Sequence, residues 1–130
     1  MRSTRLLLLA PLLSLGCTAP SAGPDQAAAV PAGGAVSCID PHQIVARYPQ
    51  PPSAVVFEMA GGITYRNDLI GACPGVERAN SGSIVQLETD GARLCTNDSI
   101  RVYDPVEAKA VGARAFAKCR LGAFTPMASR

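Results

Sequence analysis

From residue 54 onward, apolar and polar residues alternate in short runs divided by turn residues. Over 54–59, Val55, Phe57 and Met59 fall on one face and Glu58 on the other, the period of a half-buried strand. Gly61-Gly62 supplies the backbone freedom of a tight hairpin. The chain returns over 63–67 with Ile63 and Tyr65 inward, Thr64 and Arg66 outward. Val85 and Leu87 carry the alternation over 83–89, and Asp90-Gly91 is a second hairpin signal. Residues 93–104 hold the stretch on which the domain is organised. Leu94, Ile100 and Val102 are apolar, and Thr96-Asn97-Asp98 between them has turn composition, so a central strand–turn–strand is expected. Weaker runs at 43–47, closed by Pro49, Pro51 and Pro52, and at 118–125 complete about six short strands. Asp104-Pro105-Val106-Glu107 breaks the pattern with a helix N-cap, a proline at the first helical position and an acid at the third. One or two helical turns are expected within 105–114. The fold class is therefore all-β, mainly antiparallel: a small barrel or sandwich with one short helix.

The first third of the chain follows other rules. Arg2 and Arg5 precede an apolar run from Leu6 to Leu15, too short for the roughly 20 residues that span a bilayer. This is an export leader. Leu13-Ser14-Leu15-Gly16-Cys17 resembles a bacterial lipobox, with Ser14 where that pattern prefers Leu. The resemblance makes residues 1–16 a signal peptide and Cys17 the lipidated residue. The alternative is an ordinary cut after Ala19, which would leave Pro20 at the new N-terminus, and a soluble periplasmic product. In the lipoproteins this segment resembles, an Asp after the Cys commonly retains the protein at the inner membrane. Thr18 therefore implies the periplasmic face of the outer one. Residues 17–36 are rich in Ala, Pro and Gly, with prolines at 20, 24 and 31, and read as a disordered tether. About 20 residues of loose coil reach roughly 25 Å. Residues 37–126 form the domain, and 127–130 a short tail.

The cysteines change this picture most. Four fall inside the domain, at 38, 73, 95 and 119, and an even number in an exported domain of this size reads as two disulfides. A zinc site would bring its ligands in close pairs, whereas these spacings are 35, 22 and 24 residues. No metal and no cofactor is implied. Strand placement favours Cys73–Cys95 with Cys38–Cys119, the second tying the termini together. Cys38–Cys73 with Cys95–Cys119 is the close alternative.

Charge narrows the partners. The formal net charge is +2, but losing Arg2 and Arg5 with the leader leaves ten basic and ten acidic residues. A neutral chain without a basic cluster does not suit nucleic acid. The expected partners are the membrane, through the lipid, and an envelope protein.

Candidate chemistry is sparse. His42 and Asp40 flank Pro41, but residues two apart in an extended segment make no triad, and no Gly-x-Ser-x-Gly elbow is present. Asp98 and Asp104 bracket a strand without a calcium-loop pattern; Asp98 reads as a turn former bonding nearby backbone. Gly61-Gly62 lacks the helix start and lysine of a phosphate loop. No catalytic residue is assigned.

Cys38-Ile-Asp, Tyr65-Arg-Asn with Leu69, Cys73-Pro-Gly, Leu94-Cys95 with Asp98-Ser-Ile-Arg-Val, and Cys119-Arg-Leu-Gly-Ala-Phe-Thr-Pro126 occur in this order. Together they resemble an uncharacterised family of small proteobacterial envelope proteins, over residues 38–126. Val76 stands where that family often has Leu or Ile. The resemblance implies export and two disulfides, and brings no activity with it. The expected role is a non-catalytic binding or structural module of the envelope. The alternatives are a small periplasmic hydrolase using His42, or a protease inhibitor presenting residues 72–82.

Overall fold

Strands form where the alternation is strongest, and the computed structural model describes residues 33–89 and 91–128. In chain order the elements are β1 (Cys38–Ile39), β2 (Ile44–Gln50), β3 (Ala54–Met59), β4 (Thr64–Asp68), α1 (Pro74–Glu77), β5 (Ile84–Glu88), β6 (Leu94–Cys95), β7 (Ser99–Tyr103), α2 (Pro105–Val111), β8 (Lys118–Arg120) and β9 (Phe124–Met127). Single 3-10 turns lie at Pro41–Gln43 and Ala113–Ala115. The leader, Cys17 and most of the tether lie outside the described residues.

The described strands make three antiparallel sheets, ordered β2-β3-β4-β9, β5-β7-β8 and β1-β6. The mainly antiparallel all-β fold is as expected. Nine strands replace about six, because two-residue strands such as β1 and β6 are too short to show a period. The sheets do not close into a barrel. The inward faces of the two larger ones share one apolar cluster that includes Val55, Phe57, Val85, Ile100, Leu121 and Phe124. Phe124 meets Phe57 edge-on at 5.6 Å and Tyr65 at 6.4 Å. Pairing starts at Val36, which bridges Phe124.

β2 runs through Pro49, where the proline cluster suggested a stop. It can do so because β2 is an edge strand, where a missing N–H breaks no ladder. Pro126 sits likewise on the opposite edge strand, β9. Gly61 and Gly62 have φ of 93° and 87°, the positive values that the β3–β4 hairpin requires. The helix also forms as read: the Asp104 side chain accepts the N–H groups of Val106 at 2.7 Å and Glu107 at 3.3 Å.

Two expectations fail together. The arms of the central stretch do not pair with each other: β6 leaves to pair β1, and β7 lies between β5 and β8. Asp90 of the second hairpin signal lies outside the described residues, and the strands on either side of it, β5 and β6, belong to different sheets. β5 pairs β7 with Glu88 opposite Ser99, and the intervening chain makes the excursion to β1. This overturns both disulfide pairings. The bridges are Cys38–Cys95 and Cys73–Cys119. Cys38 stands directly opposite Cys95 in the β1–β6 ladder. Cys73 precedes α1, whose Gly75 lies against Val102 of β7, and Cys119 is in β8 beside β7, opposite Ile100.

One polar group lies fully in the core. Asn67, 0 % exposed, donates from Nδ2 to the Gly122 carbonyl at 2.9 Å and accepts the Gly122 N–H at 2.8 Å. The side-chain amide thus replaces one rung of backbone pairing. Gly122 is required there, since a Cβ would stand 2.2 Å from the Asp68 carbonyl oxygen.

Candidate binding surface

The acids singled out for chemistry prove to be engaged in structure, while the His42 side chain is exposed. Asp40 caps the turn at Pro41–Gln43, its Oδ1 accepting the His42 backbone N–H at 2.8 Å. The carboxylate therefore serves the backbone of His42 and does not orient its ring. Asp98 Oδ2 accepts the Cys95 N–H at 2.7 Å while Asn97 takes a positive φ of 74°, the turn-forming role expected of it. Asp104 caps α2. Among the described residues, no three His, Cys, Asp or Glu side chains group as metal ligands, and no helix is long and apolar enough to cross a membrane. Residues 72–82 are not an extended exposed loop. They contain α1, with Cys73 and Val76 buried in the core, followed by a turn in which Asn80 Oδ1 accepts the Gly82 N–H. Cys17 is outside the described residues.

The outward faces of the two larger sheets differ. On β5-β7-β8, Glu88 bonds Arg101 at 3.0 Å and faces Lys118 at 3.5 Å. Hydrogen bonding to Arg101 holds the Glu88 carboxyl below the usual carboxylate range. Arg101 Nη1 also donates to the carbonyls of Arg114 and Phe116. The Phe116 ring lies 5.3 Å from that of Tyr103. This face is occupied by the chain's own return from α2 to β8.

The outward face of β2-β3-β4-β9 has another character. Cross-strand register places Tyr48, Val56, Arg66 and Thr125 in one row, and Ala46, Glu58, Thr64 and Met127 in the next. Tyr48 is 44 % and Met127 36 % exposed. Beside them Arg66 bonds Asp68 and Gln50, each at 2.7 Å. Burial pushes the Tyr48 phenol above its ordinary pKa, and the Glu58 charge adds to that. Tyr48, Gln50, Val56, Glu58, Thr64 and Met127 border a depression of about 420 Å³. The helices lie elsewhere, α1 on β7 and α2 beside the Ala113–Ala115 turn. Aromatic, thioether and guanidinium groups together are the composition enriched at protein interfaces.

The alternation in the sequence already turned Glu58, Thr64 and Arg66 outward. It missed Tyr48 and Met127 because β2 was read as ending at residue 47 and β9 at 125. No family model, no curated protein and no solved structure matches the chain.

Proposed function

We propose that this is an exported envelope lipoprotein, anchored through Cys17 at the periplasmic face of the outer membrane. Its domain is a non-catalytic binding module that takes a protein partner on the outward face of β2-β3-β4-β9. The contrast between the two outward faces carries this reading. One is filled by ion pairs and returning chain. The other offers Tyr48 and Met127 around an open depression, flanked by the Arg66–Asp68 pair. Pro49 and Pro126 on the edge strands disfavour recognition by strand addition and leave the face as the recognition element. The leader and Leu13-to-Cys17 motif support export and lipidation. Three acyl chains, at about 0.8 kcal/mol per buried methylene, would hold such a chain on a membrane without a spanning helix.

The test is site-specific photo-crosslinking in intact cells. A crosslinker at Tyr48 or Met127 should give the same discrete adduct, and one at Ile84 should not. Equal adducts from both faces, or none from either, would refute the surface. With the partner in hand, Tyr48→Ala should weaken binding about 30-fold, the effect of a hot-spot aromatic worth about 2 kcal/mol. Fatty-acid labelling that disappears in Cys17→Ser checks the anchor separately.

A further inference from the structure

The two disulfides occupy unlike surroundings. Cys73 and Cys119 are each 2 % exposed and belong to the core. Cys38 and Cys95 are both half-buried. Cys38 lines an open cleft of about 270 Å³ whose walls include Ile39, Met59, Ile63 and Tyr65 and the charged residues Asp40 and Arg93. Arg93 Nη2 donates to the Cys38 carbonyl at 3.3 Å, setting a cation beside this cysteine.

We propose that Cys38–Cys95 is a thiol–disulfide exchange site, open through this cleft to a dithiol reductant, while Cys73–Cys119 is a fixed structural bridge. The inference stands apart from the anchor and from the sheet-face partner. Exchange requires a thiolate to reach one sulfur of the bond, and Cys38–Cys95 is the bridge whose cysteines are half-buried, one of them lining a cleft, whereas Cys73 and Cys119 are closed to solvent. The dithiol's first thiolate attacks Cys38 Sγ. The Cys38–Cys95 bond breaks, a mixed disulfide forms, and Cys95 leaves as a thiolate and takes up a proton. The second thiol of the donor, deprotonated, then attacks the donor's other sulfur in the mixed disulfide, and Cys38 leaves as a thiolate and takes up the second proton. The donor ends as a disulfide and the chain gains two electrons and two protons. The Arg93 cation favours the departing Cys38 thiolate by charge.

The consequence is local. Across the β1–β6 ladder the disulfide is the covalent link, and the ladder is only two residues long. Beyond it, the segment before β2 is held by Ile39 in the core, by the Thr96 N–H and hydroxyl on the Ser37 carbonyl, and by the Val36–Phe124 bridge. Reduction therefore leaves the point at which the N-terminal segment joins the domain held by non-covalent contacts alone, which loosens it, and leaves the core bridge intact.

Graded dithiothreitol followed by alkylation under native conditions, read by peptide mass spectrometry on the full exported protein, tests this. Cys38 and Cys95 should become alkylated at a reductant concentration about tenfold or more below that needed for Cys73 and Cys119. In the half-reduced protein, protease should gain cuts between residues 33 and 43. Simultaneous alkylation of all four cysteines, or earlier alkylation of Cys73 and Cys119, overturns the proposal. Early alkylation with an unchanged proteolytic pattern overturns the loosening of the N-terminal segment.

Discussion

The corner around Asn67 and Gly122 and the excursion from Asp104 to Ala117 show two ways of holding chain in place. At the corner every group is buried and paired: Asn67, Gly122 and Phe124 are closed to solvent, and the amide satisfies both backbone groups of the glycine. The excursion contains no buried residue in α2 or in the following turn. It is tied from outside by the Asp104 cap, by Arg101 on two of its carbonyls, and by Phe116 against Tyr103. Other residues sit in equally constrained places. Gly75 of Cys-Pro-Gly is one such place, since a Cβ there would come 2.1 Å from the Val102 carbonyl oxygen.

The comparison is broken most severely at Gly122. Gly122→Ala forces the Asp68 carbonyl away and pulls Asn67 from its partners, and should cost about 4 kcal/mol, beyond the ordinary overpacking range. Asn67→Ala leaves the buried Gly122 N–H unpaired, while the Gly122 carbonyl keeps the Thr96 hydroxyl at 3.2 Å, and should cost about 2 kcal/mol. Urea midpoints at constant slope measure both. A loss under about 1 kcal/mol in Asn67→Ala would mean that water replaces the amide and that the corner is open.

At the excursion the same kind of change should cost less. Asp104→Ala removes two cap bonds and should cost about 1 kcal/mol. Faster amide exchange confined to residues 105–115 would show it, with protection of β3 and β7 unchanged. A fall in protection of β7 as large as in α2 would show that the excursion unfolds with the core.

Much of this contrast was legible beforehand. Alternation gave β3, β4, β5 and β7, the glycine pair gave the hairpin, and Asp104-Pro105-Val106-Glu107 gave the start of α2. Local signals suffice where a residue's partners are near in sequence. The pairings of β1 with β6 and of Cys38 with Cys95 join residues 57 apart, and no local pattern reports which distant strand a two-residue segment will meet. Sequence pattern assigns Asn67 no role, because its partner Gly122 lies 55 residues away. The outward face was partly visible in Glu58, Thr64 and Arg66, and its aromatic and thioether members were hidden beyond strand ends placed too early.

The link between excursion and sheet should depend on pH. Arg101 lowers the Glu88 carboxyl pKa in the folded chain, so this pair's contribution is present above the unfolded carboxylate value. It is lost as pH falls through the depressed folded value. Glu88→Gln should therefore lower stability at neutral pH and converge with wild type once pH falls below the depressed folded value, which flattens the acid limb. An acid limb identical to wild type would mean that Glu88 and Arg101 are not coupled in solution.

The smallest effect is expected from a valine, and it separates the two regions most sharply. Val102 and Val106 are four residues apart, 1 % and 73 % exposed. Val102→Ala removes two methyl groups from a filled core and leaves a void, which should cost about 2 kcal/mol. Val106 is on α2, where the side chain buries almost nothing and its β-branch restricts the helix backbone. Alanine is the better helix former by up to about 0.6 kcal/mol, so Val106→Ala should leave the urea midpoint within about 0.5 kcal/mol and slow exchange slightly in α2. If Val106→Ala instead costs as much as Val102→Ala, α2 is packed on a surface in solution and the excursion is not held only by its ties.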